Sequence, residues 1–69
     1  MKLSWEDAED IGIELYKMHQ DVDPLTLSFP KLHQMVVALD AFDDDPSGSS
    51  EGRLEAIQMA WLDEIRENS

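Results

Sequence analysis

The chain has 69 residues and no cysteine, and its sixteen acids against five bases give a formal charge of -11. A chain this short makes one small domain with a thin core, hiding about 60 % of the surface that its unfolded form exposes. Without thiols it has no disulfides, no thiolate zinc sites and none of the usual cysteine ligands for a metal cluster.

The first element opens at Ser4-Trp5-Glu6-Asp7, which reads as a serine N-cap with acids in the first turn, where they meet the positive end of the helix dipole. Trp5, Ala8, Ile11, Leu15 and Met18, with Tyr16 beside them, form one apolar face of a helix over about 5–19. Glu6, Asp10 and Glu14 line the opposite face. Asp21-Val22-Asp23-Pro24 then makes a turn. Leu25-Thr26-Leu27-Ser28-Phe29 alternates apolar residues around a β-branched threonine, the pattern of a short extended segment.

Pro30 suits the first turn of a second helix over about 31–41, with Ser28 or Phe29 in the cap region. Leu32, Met35, Val36 and Leu39 make its buried stripe, and Phe42 continues it three residues on. Ser50 caps a third helix over about 51–66, with Glu51 favourably placed at its start. Leu54, Ile57, Trp61 and Ile65 supply the third stripe, and Arg66 lies near the C-terminal end, where the dipole prefers a cation. The expectation is a mainly α, three-helix, winged-helix-like single domain spanning residues 1–69.

Between the second and third helices lies an acidic loop, 42–50. Phe42-Asp43-Asp44-Asp45-Pro46 has to leave the helix, because Pro46 forces Asp45 out of the helical region and three like charges in a row repel one another. Phe42 is the expected anchor, holding the aspartates at a fixed place on the surface. On this reading, exchanging all three for asparagine leaves the fold in place.

The sign of the charge bears on function. Nucleic-acid recognition needs clusters of lysine and arginine, whereas Lys2, Lys17, Lys31, Arg53 and Arg66 are scattered singly. Basic protein surfaces and hard cations are the favoured partners. Asp43, Asp45, Ser47, Gly48 and Glu51 match part of a calcium loop, but the bidentate glutamate at its last position is replaced by Leu54, a residue of the core stripe. His19 and His33 could meet in a helical hairpin to share a metal, although separate surface histidines are the commoner outcome. Neither has a serine or cysteine nucleophile arranged around it, so no catalytic residues are assigned. No apolar run reaches membrane-spanning length and the N-terminus is acidic after Lys2, which predicts a soluble cytoplasmic protein without a signal peptide.

Trp5-x-Asp7, Ile11-Gly12, Leu15-Tyr16, Asp21-x-Asp23-Pro24, Phe29, His33-Gln34, Phe42-Asp43-Asp44-Asp45-Pro46, Leu54-Glu55-Ala56-Ile57 and Trp61-Leu62-Asp63-Glu64 recur in order over nearly the whole chain. In this the sequence resembles the IscX family, small acidic accessory proteins of bacterial iron-sulfur cluster assembly. The resemblance implies a non-enzymatic adaptor and regulator that binds the cysteine desulfurase, shares its basic surface with frataxin, and binds ferrous iron weakly, with no tightly bound cofactor. The alternative is an iron donor or chaperone that carries ferrous ions on carboxylates. Carried over by position, Asp7, Asp21, Asp23, Asp43, Asp44, Asp45 and Glu55, together with Glu51 of the acidic loop, are the candidate partner-binding acids. Asp43, Asp44, Asp45, Asp63 and Glu64 are the candidate weak metal ligands.

Overall fold

The computed structural model describes residues 2–69. Helices α1 (Ala8–Met18), α2 (Phe29–Val37) and α3 (Glu51–Glu67) follow one another, with 3-10 turns at Pro24–Thr26 and Pro46–Gly48. The three helices match the expected fold class, and their ends show what the local pattern missed. α1 starts at Ala8 rather than near Trp5 because the Asp7 carboxylate accepts the Ser4 amide (2.9 Å) and hydroxyl (3.2 Å), closing a separate turn ahead of the helix. α2 starts earlier than expected, at Phe29, where the Ser28 hydroxyl accepts the Lys31 amide at 3.3 Å. It also stops earlier: Leu39 N–H bonds Val36 and Phe42 N–H bonds Leu39, so the chain tightens into successive turns instead of continuing to Ala41.

The extended segment expected over 25–29 is a 3-10 turn followed by only Leu27 and Ser28 in extended backbone. Pro24 and Asp23 explain it. Proline presets the turn, and the Asp23 carboxylate accepts the Leu25 amide at 3.0 Å. The extended pairing of this fold lies elsewhere, as a parallel bridge between Leu3 and Phe42. Leu3 N–H donates to Ala41 at 2.7 Å and Asp43 N–H donates to Leu3 at 2.8 Å, which ties the chain start to the acidic loop.

The core joins Leu3, Trp5, Ile11, Leu15, Leu32, Val36, Leu39, Leu54, Ile57 and Trp61. Met18, counted in the first apolar stripe, is instead 67 % exposed at the end of α1. α1 and α3 run side by side in the same direction, since Glu6, just ahead of α1, meets Arg53 in the first turn of α3, and Gly12 meets Ala60 further along. Gly12 makes this close approach possible: a Cβ there would fall 2.8 Å from the Trp61 backbone nitrogen and 2.9 Å from the Ala60 carbonyl carbon. α3 also holds the first 3-10 turn, through Gln58 Nε2 donating to the Pro24 carbonyl at 2.9 Å.

Candidate protein-interaction surface

The acidic loop is built around Trp5. Its ring is almost wholly buried, yet it precedes α1, and both of its N–H groups point into the loop. The backbone amide donates to Asp44 Oδ2 at 3.1 Å and the indole Nε1 donates to the Asp45 carbonyl at 2.7 Å. A buried indole needs a partner for its N–H, and here the partner is the loop backbone. Phe42 meets the indole edge-on at 4.8 Å between centroids, His33 stacks on it at 5.3 Å, and Gly48 lies close to its edge. His33 Nε2 in turn donates to the Pro46 carbonyl at 2.6 Å. Phe42 is only half-buried, so the expected anchor contributes one wall and Trp5 is the post.

The three aspartates have different tasks. Asp44 Oδ1 accepts the Asp45 amide at 2.7 Å while its Oδ2 takes Trp5, so both oxygens are committed to backbone. Asp45 Oδ1 caps the second 3-10 turn, accepting the Ser47 amide (2.9 Å) and hydroxyl (2.8 Å). Those two donors, the amide first, hold the Asp45 carboxyl below the ordinary aspartate range. Asp43 faces solvent and pairs with Lys2 at 3.3 Å, both side chains well exposed.

The remaining candidate acids divide similarly. Asp7 and Asp23 spend carboxylate oxygens on local backbone amides. Among the described residues, Asp21, Glu51 and Glu55 are exposed and engage in no side-chain hydrogen bond or ion pair, leaving their charges available to a partner. Asp63 and Glu64 are on α3, on the rim of a groove against α1 and apart from the loop. Among the described residues, no three His, Cys, Asp or Glu side chains come together as a metal site. His19 and His33 are engaged separately, His19 beside Trp61 and His33 against Trp5 and Pro46. No helix of the described residues is long and apolar enough to cross a membrane.

The geometry is that of a carboxylate-rich surface on a rigid support. In comparison with known proteins, a family model described as iron-sulphur cluster assembly matches residues 3–66. An uncharacterized protein of Pseudomonas aeruginosa is 45% identical over 64 residues, which make up 93% of this chain and 97% of that protein.

Proposed function

The chain belongs to the iron-sulphur cluster assembly family, and from that premise we propose that it is a non-enzymatic adaptor that docks through its acidic surface on the basic surface of the cysteine desulfurase. There it regulates the rate at which clusters form and shares the surface with frataxin. The observation that carries this reading is the fixing of the acidic loop by Trp5, through 2.7 Å and 3.1 Å hydrogen bonds to consecutive aspartates. A loop held this way presents its charges without the ordering cost that a flexible acidic segment meets on binding. The net charge of -11 adds long-range attraction to a basic partner.

Ferrous iron is a weak, exchangeable ligand on this account. Carboxylates are suitable hard donors, but Asp44 and Asp45 already accept backbone hydrogen bonds, and a metal recruiting those oxygens has to displace them. A titration of this protein against purified cysteine desulfurase, with and without ferrous iron, separates adaptor from iron donor. The adaptor docks with the same affinity in both. Docking that requires iron, or transfer of the bound iron to the machinery, overturns the adaptor reading in favour of the donor.

A further inference from the structure

A second surface carries a different kind of site. α1 and α3 flank a groove of 470 Å³ whose floor is apolar, formed by Ala8, Ile13, Ala56, Met59 and Ala60. The floor exists because the helices touch at Gly12 and Ala60, and because alanines line it where larger side chains would fill it. Met59 is 45 % exposed there, a large apolar side chain left in water on the face of α3 that also carries the exposed Glu55, Asp63 and Glu67. Glu9, Asp63, Glu64 and Glu67 complete the lining, and no lysine or arginine is among the lining residues. Arg66 lies 4.0 Å from Asp63 with both side chains largely exposed, a geometry that neutralises little.

We propose that this groove binds a basic amphipathic segment of another protein, seating a row of apolar side chains on Ile13, Ala56 and Met59 while flanking lysines or arginines reach the rim carboxylates. An apolar floor bounded by like charge, in which only Asp63 has a cation beside it among the described residues, fits an apolar row with opposite charge at its edges, the helix-in-groove mode of recognition. A second copy of this chain is a poor occupant, because it brings the same acidic rim and a charge of -11. The site uses none of the acids assigned above to desulfurase docking, so either proposal can fail alone.

The test is a titration of the isotope-labelled protein, followed by amide chemical shifts, with three synthetic peptides of equal length. One places leucine and lysine at helical amphipathic spacing, the second scrambles the same composition, and the third replaces lysine by glutamate. The amphipathic basic peptide is expected to shift amides of residues 8–13 and 56–67 in a saturable way, while the other two do not. Ala56 is exposed, so Ala56→Gln fills the groove without entering the core, and it should weaken that binding about tenfold or more while the remaining spectrum stays unchanged. Neutralising the rim by Glu9→Gln, Asp63→Asn, Glu64→Gln and Glu67→Gln should abolish it. Equal binding of the scrambled peptide, shifts centred on residues 42–51, or absence of binding by the amphipathic peptide each overturn the proposal.

Discussion

Trp5 and Asp45 are joined by a 2.7 Å hydrogen bond from the indole N–H to the backbone carbonyl, linking residues 40 apart in sequence. The same Asp45 carbonyl accepts the Gly48 amide, so one oxygen serves both the 3-10 turn and the aromatic post. The loop is therefore part of the folded structure, and the segment that carries its charge should respond to changes at Trp5 before it responds to changes in its own acids.

Trp5→Phe keeps an aromatic ring in the core but removes the N–H. The lost hydrogen bond should lower stability by about 0.5–1.5 kcal/mol, with a further loss from the volume removed. Trp61→Phe is the control, because the buried Trp61 indole N–H has no partner among the described residues, so only the volume loss applies. Thermal melts of both should show the larger drop for Trp5→Phe. Amide exchange of Ser47 and Gly48 should accelerate only in that variant.

Gly12→Ala tests the approach of α1 to α3. Helix propensity alone favours alanine by about 1 kcal/mol, yet the added methyl falls within 3 Å of α3 backbone, which cannot yield as a flexible side chain can. Overpacking of this kind costs about 1–3 kcal/mol, so the net change measured by denaturant unfolding should be destabilising. A stabilised variant would show that the helices separate freely.

Neutralising the loop is not structurally silent. Asparagine offers one acceptor oxygen where Asp44 uses two, so Asp44→Asn should lower stability by about 1 kcal/mol, the usual worth of a side-chain cap. The expectation that all three aspartates can be exchanged with the fold left in place treats them as one charged run. Asp43→Asn alone, which breaks only an exposed ion pair with Lys2, should leave the melting temperature nearly unchanged.

Asp45 also gives the fold a pH dependence of known sign. Its folded carboxyl is held below its unfolded value by Ser47, so its contribution is present above the unfolded pKa, near 4, and is lost as pH falls through the lower folded value. Protonation of the other acids relieves repulsion and works in the opposite direction. The wild-type protein and Ser47→Ala should accordingly differ most in stability above about pH 4 and converge in stronger acid. Urea unfolding of both across that range measures it.

The helices were legible because each carries an apolar stripe at helical spacing over several turns. Ser4-Trp5-Glu6-Asp7 has the composition of a capped first turn and so reads as helix, and nothing local signals that Leu3 will pair with Phe42 across 39 positions. The residues of the acidic loop were legible as a loop, but not their division of labour, since which carboxylate caps which amide depends on where Trp5 lies. One signal was available: a tryptophan in an apolar stripe has an N–H to satisfy, and an aspartate-proline loop supplies free carbonyls. The α1–α3 groove had no local signature, because its alanines and its glycine are spread over two helices brought together only by folding.

The docking account is tested most directly by association kinetics with the cysteine desulfurase at several salt concentrations, comparing the wild-type protein with Asp43→Asn, Glu51→Gln, Glu55→Gln. These side chains accept none of the hydrogen bonds that hold the loop, so the comparison removes charge and leaves the Trp5 post intact. As the Debye length shortens to about 8 Å near physiological salt, the wild-type association rate should fall steeply, and the triple variant should associate more slowly at low salt with a flatter slope. Equal rates and equal salt slopes for the two proteins would contradict docking through this surface.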